Sequence, residues 1–191
     1  MLPPILEQVK AKGFKVFTAG KWNINIVGVR SPSRKSNVFD DFIHVVFKDH
    51  SNSFVDLVFQ ITTDPGLYWL KNPSRVDGTA ILVGNKQYRG VWKIDKHQGK
   101  YDALCQRNGK VTVYRDRNKD SILDMDSTSI SEGYYGINIH RSSLHGSTEV
   151  NRYSAGCQVF ADPNDFSCFM SLCKKSAKLY GNSFSYTLLE G

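Results

Sequence analysis

Short apolar runs broken by Gly, Pro, Asn and Asp recur along most of this chain, and in several of them apolar and polar positions alternate. Over 22–26, Trp22, Ile24 and Ile26 alternate with Asn23 and Asn25, the period of a half-buried strand. "FDDFIHVVFKDHSNSFVDLVFQITT" (39–63) predicts two strands joined at "DHSNS", a hairpin. "GTAILVGNKQYRGVWKID" (78–95) places a turn at Gly84–Lys86 between an apolar run and a Tyr/Val/Trp strand. "KVTVYRDRNKDSILDMD" (110–126) predicts a further hairpin with its tip at Arg117–Asp120, and "SFSYTLLE" a final strand.

The period changes to helical in two places. Ile5, Leu6 and Val9 precede Gly13, which predicts a short helix at about 4–12. Asp162 suits an N-cap and Pro163 the first helical position, and Phe166, Phe169, Met170, Cys173 and Ala177 then recur at helical spacing before Gly181. The expectation is a mainly β (β-rich α+β) protein with one C-terminal helix of moderate length. Neither a repeat nor a low-complexity tract divides residues 1–191, so a single domain is expected.

Composition narrows the class. At 191 residues the chain can bury a full core without a disulfide scaffold. Its cysteines, at 105, 157, 168 and 173, form neither a CxxC pair nor a metal-finger spacing, so no structural zinc and no cofactor is predicted. The net charge of +7 fits a polyanionic partner or a basic surface that aids solubility. No zinc finger, KH-type loop or RNP-like string accompanies that charge, so no specific nucleic-acid partner is expected. No stretch approaches the ~18 apolar residues of a membrane span, and the N-terminus lacks the pattern of an export signal.

The candidate chemistry centres on Cys157, in "SAGCQ". A lone cysteine is most often a small buried thiol; the context here offers a second reading. In "GYYGINIHRSS" the alternation of Ile137 and Ile139 with Asn138 and His140 sends His140 to the face opposite the isoleucines. A thiol nucleophile needs a base or imidazolium partner and backbone amides for an oxyanion. Gly156 allows the tight turn that brings such amides to the thiol.

The segment "HRSSLHGSTEVNRYSAGCQ" resembles the signature of L,D-transpeptidase catalytic domains of the YkuD type, a histidine followed at a distance by Ser/Thr-x-Gly-Cys. The resemblance is sharp over 133–160 and only compatible elsewhere. It implies an L,D-transpeptidase-like β-sandwich, with Cys157 the nucleophile, His140 its proton acceptor and the Arg141 carbonyl orienting the imidazole. It further implies that the amides of Gly156 and Cys157 receive the oxyanion, that Ser154 steadies the turn, and that Gln158 meets the substrate. Two positions depart from the family: Ala155 stands where many members carry histidine, and Gln158–Val159 replaces the usual pair after the cysteine.

The implied activity is acyl transfer on peptidoglycan stem peptides without a cofactor. Hydrolysis (L,D-carboxypeptidase or endopeptidase) is expected over cross-linking, because no separate wall-binding module holds an acceptor strand. A cross-linking enzyme and a non-catalytic wall-binding or virion structural protein are the alternatives. Action on the cell wall, periplasmic or extracellular, without a visible signal fits a phage-released, delivered or processed protein, expected to be a monomer.

Two further groups were legible. "WKIDKHQGKYDALCQ" places His97 and Tyr101 in a loop or short helix, lining the substrate cleft or simply solvated and packed on the core; with His140 and Cys157, His97 would also complete a zinc set of low standing. "DRNKDSILD" spaces Asp116, Asn118, Asp120 and Asp124 like the first, third, fifth and ninth ligands of a calcium loop, but Ser121 replaces the turn glycine and Ser127 the final glutamate. A polar hairpin tip is the simpler reading.

Overall fold

A computed structural model describes residues 1–191. Eleven strands and three helices follow in the order α1 (Pro4–Ala11), β1 (Asn25–Arg30), β2 (Asp41–Lys48), β3 (Phe54–Thr62), α2 (Leu67–Lys71), β4 (Thr79–Leu82), β5 (Lys86–His97), β6 (Tyr101–Gln106), β7 (Val111–Asp116), β8 (Ser131–Gly133), β9 (Ile139–Arg141), β10 (Gln158–Phe160), α3 (Pro163–Tyr180) and β11 (Phe184–Glu190). Eight strands close into a barrel in the order β1-β11-β5-β6-β9-β10-β3-β2, and β4-β7-β8 form a separate three-stranded sheet. The protein is therefore mainly β, with its main sheet closed on itself.

Alternation explains which faces turn inward. Ile43, Val45 and Phe47 of β2 join Ile26, Phe59, Ile61, Trp92 and Leu104 in the central core. Val27, Val46 and Leu189 face outward, where α1 covers them with Ile5, Leu6 and Val9. Helix α3 begins as the sequence predicts: the Asp162 carboxylate accepts from the Asn164 amide at 2.7 Å, with Pro163 as its first residue. Phe166, Phe169, Met170 and Cys173 enter the central core, each burial contributing about 2 kcal/mol. All four cysteines are free thiols, and no helix is long and apolar enough to cross a membrane.

Two sequence expectations are corrected. Residues 117–126 do not return as the second strand of a hairpin: β7 pairs with β4 and with β8, whereas Ile122 makes only an isolated bridge to Lys35. The loop instead folds on its own polar side chains, with the Asn118 carboxamide bonded to Asp120 and Asp124. His97 and Tyr101 lie in neither a loop nor a helix. They face each other across the β5–β6 hairpin, whose turn uses positive φ at Gln98 (50°) and Gly99 (73°).

Buried Arg30, 1 % exposed, ties the end of β1 to three other segments. Its guanidinium donates to Thr63 Oγ1 (2.9 Å), the Leu82 carbonyl (2.9 Å) and Glu190 Oε1 (2.9 Å), and lies 3.0 Å from Asp64. Removing the cation leaves the buried Asp64 carboxylate without its counter-ion. Arg30→Met should lower stability by about 3–5 kcal/mol in urea unfolding; a loss below ~1 kcal/mol would show that the network contributes little.

Candidate active site

The site is built by a parallel pair. β9 and β10 pair in the register Gln158↔Ile139, Val159↔His140 and Phe160↔Arg141, and the Gln158 amide donates to the Asn138 carbonyl at 2.9 Å. Opposed residues of paired strands share a face, so Asn138, His140, Cys157 and Val159 project to one side. Ile137, Ile139 and Phe160 project to the other, into the core. Parallel strands need a long crossover; here residues 142–157 provide it and end in the turn that carries Cys157.

That turn is fixed by its own hydrogen bonds. Ser154 Oγ accepts from the Gly156 amide (3.1 Å) and donates to the Cys157 carbonyl (2.8 Å), while the Ser154 carbonyl accepts from the Gly66 amide (2.9 Å). Gly156 has φ 116°, and a Cβ there would collide with the Ala80 carbonyl, so this position requires glycine. Ser154 is fully buried and shapes the turn rather than meeting substrate. Since Ser154 holds the Gly156 amide, the Cys157 amide is the member of the expected oxyanion pair left without a protein acceptor.

Gln158 also departs from expectation. It is buried, its Oε1 accepts from Tyr186 Oη at 2.9 Å, and its Nε2 lies 3.4 Å from the Gly156 carbonyl. Alternation turns it inward with Phe160, so it anchors the strand after the cysteine and is not a substrate contact.

His140 is 4 % exposed, and its Nδ1 lies 2.8 Å from the Arg141 carbonyl. Nδ1–H donates to that carbonyl, which leaves Nε2 as the proton acceptor. Tyr101 Oη donates to the same carbonyl at 3.3 Å, and the Arg141 guanidinium stacks on the Tyr101 ring at 4.2 Å. His97 stacks on His140 with ring centroids 4.0 Å apart and 21° between planes. The Asn138 carboxamide holds His97 by its Nδ1 at 3.0 Å.

His97 and Tyr101 thus line the cleft over His140. The stacked imidazoles present faces rather than nitrogens to each other, and no three His, Cys, Asp or Glu side chains are grouped to hold a metal ion. The zinc arrangement of His97, His140 and Cys157 is not formed.

Electrostatics set the resting protonation states. Burial, reinforced by His97 and by the Arg141 charge against the opposing Arg141 carbonyl, pulls His140 down to about 3. Burial likewise lowers His97, with Lys100, Arg107 and Arg141 acting in the same direction. Burial pushes the Cys157 thiol up to about 11, although its Sγ accepts from the Asn138 amide at 3.4 Å. At neutral pH the shared face therefore carries a neutral thiol, which donates to the Gly136 carbonyl at 3.4 Å, and a neutral imidazole, not a preformed thiolate–imidazolium pair.

The cleft over His140 encloses about 550 Å³ and is walled by His97, Lys100, Tyr101, Arg141, Arg152 and Tyr153, among others. Arg152 stacks on Tyr68 at 3.8 Å, and neither it nor Arg141 pairs with a carboxylate of the protein. Asn138 and Arg152 were missed from sequence. Asn138 shares the alternation that exposed His140 and was recoverable; Arg152 reaches the cleft through an irregular crossover that carries no periodic signal.

The calcium candidates lie away from this cleft. Asp116, at the end of β7, is pushed up to about 6 by burial and by the nearby Asp124 and Asp120 carboxylates. Comparisons with protein-family models, curated proteins and solved structures return no match.

A thiol with a pKa near 11 forms about tenfold more thiolate for each pH unit of rise below that value. Alkylation of Cys157 by iodoacetamide, followed by peptide-resolved mass spectrometry so that exposed Cys168 is scored separately, should climb in that proportion from pH 7 to pH 10 without a plateau. A plateau reached below about pH 8 would instead reveal a preformed ion pair.

Proposed function

We propose that this protein is a cysteine-dependent acyl transferase of peptidoglycan stem peptides, with an L,D-transpeptidase-like mechanism that favours hydrolysis. The observation that carries the reading is the shared face of β9 and β10. It puts Cys157 on the same face as an imidazole whose Nδ1–H is bonded to the Arg141 carbonyl, which leaves Nε2 as the proton acceptor. The barrel with its three-stranded flank stands in this reading where the family resemblance puts a β-sandwich.

The neutral resting pair dictates the order of events. Substrate closes over the cleft, His140 Nε2 takes the proton from Cys157 Sγ as Sγ attacks the acyl carbon, and the Cys157 amide donates to the developing oxyanion. The carbon–nitrogen bond then breaks, the departing amine receives the proton from Nε2, and a thioester to Cys157 remains. Water, deprotonated by His140, resolves the thioester and returns the proton to sulfur. Tyr101 and His97 position the imidazole, and Arg141 and Arg152 offer unpaired guanidinium groups for stem-peptide carboxylates.

The cleft over His140 is open to solvent, which in this reading gives water the advantage over a second peptide amine. The net charge of +7 fits attraction to an anionic wall polymer. The proposed place of action is outside the cytoplasm, reached by phage release, delivery or processing, by a monomer.

The elevated thiol pKa favours one second reading, a wall-binding protein that does not turn its ligand over. Incubation with tetrapeptide muropeptides and mass analysis of products separates the two. The expected result is loss of a terminal D-residue or cleavage of a cross-bridge in excess of joined product. Cys157→Ala should be inactive and His140→Ala slower by about 10²–10⁴-fold. Retention on purified sacculi without any product would favour the binding role, and full activity in Cys157→Ala would remove the nucleophile assignment.

A further inference from the structure

The loop between β7 and β8 is built unlike an ordinary polar connection. Leu123, 2 % exposed, pins it to Leu70 and Ile81, and Ser36 Oγ donates to the Ser121 carbonyl at 2.6 Å. This anchored base carries Asp116, Asn118, Asp120 and Asp124. The Asn118 carboxamide nitrogen lies 2.9 Å from Asp120 Oδ2 and 2.6 Å from Asp124 Oδ2. An amide donor thus stands between two carboxylates.

The third carboxylate supplies an independent observation. Asp116 is 1 % exposed; its Oδ2 accepts from the Asp124 amide at 3.1 Å, which turns the carboxylate toward the loop, and its Oδ1 has no hydrogen-bond partner. A buried carboxylate oxygen without a donor costs free energy unless something binds it. The adjacent cations do not: Arg117 Nε donates to the Asp77 carbonyl, and Arg115 to Ser131 Oγ and the Gly78 carbonyl.

We propose that Asp116, Asn118, Asp120 and Asp124 form a binding site for a calcium ion. All donors are hard oxygens, which suits calcium rather than a softer transition metal. The three carboxylates do not converge on one point as they stand, so an ion would have to draw them together. Rotation of the Asn118 carboxamide exchanges its nitrogen for its oxygen, so the group that now bridges the carboxylates becomes a ligand itself. Ser127 opens a 3-10 turn capped by Asp126, whose carboxylate accepts from the Thr128 amide. Ser127 therefore supplies no bidentate carboxylate, which places the affinity in the weak range of extracellular modules, about 10⁻⁴–10⁻³ M. The bound ion joins β7 to a loop that is itself docked on Ser36, Leu70 and Ile81, so its effect is on stability.

The test is thermal unfolding of the full chain, freed of metal with chelator and then titrated with calcium chloride from about 0.1 to 10 mM. Wild type should gain about 3–5 °C at calcium ~10-fold above its dissociation constant, and saturably. The double variant Asp120→Asn/Asp124→Asn should unfold in chelator at least as high as wild type, since it relieves carboxylate repulsion, and should gain nothing from calcium. No shift in wild type, an equal shift in the double variant, or a shift reproduced in full by magnesium chloride would each overturn the site.

Discussion

The parallel pairing of β9 with β10 is the constraint on which the candidate site depends. It is short, three residues on each strand, yet its register alone decides that His140 and Cys157 leave the sheet on the same side. A slip by one residue would send one of them into the barrel core. The register is held from within by Ile139 and Phe160, and from the turn by Ser154, Gly156 and the buried Gln158–Tyr186 bond. Residues that resemble catalytic groups in sequence thus divide into two kinds: those that face the cleft, and those that keep the register that makes the cleft.

The same burial that secures the register determines the electrostatics. His140 is surrounded by His97, Tyr101 and its own strand, so its charged form is disfavoured, and burial likewise holds the Cys157 thiol protonated. In the proposed mechanism, proton transfer from sulfur to nitrogen then accompanies attack rather than preceding it, driven by the incipient oxyanion that a substrate supplies. The two guanidinium groups in the cleft, held on Tyr101 and Tyr68, place positive potential where an anionic peptide would lie.

Much of this was legible along the chain. The β2–β3 hairpin, both long-range helical stripes and the outward face of His140 follow from period alone, because each depends on local alternation against a core. Three matters did not follow. Closure of the main sheet rests on the parallel β1–β11 pair, between segments at opposite ends of the chain, and period does not encode pairing partners. Residues 117–126 follow β7 with turn-forming residues and read as the return of a hairpin, but Asn118 bonds to Asp120 and Asp124 within the loop and Ile122 is left exposed. Gln158 reads as a polar residue beside a nucleophile, whereas its place one residue after Cys157 turns it to the inner face, where Tyr186 receives it. The motif located the candidate residues, and the tertiary pairing sorted them into those that face the cleft and those that face the core.

Under the proposed function the Cys157 sulfur forms a covalent bond to the acyl group of a stem peptide. It is tested most directly by mixing the full chain with a tetrapeptide muropeptide, quenching in acid on the turnover timescale, and mapping the mass adduct by peptide-resolved mass spectrometry. The account predicts an acyl adduct on the peptide that carries Cys157, labile to hydroxylamine as a thioester and absent from Cys157→Ala. Product formation with no adduct at Cys157, or an adduct on another residue, would contradict it.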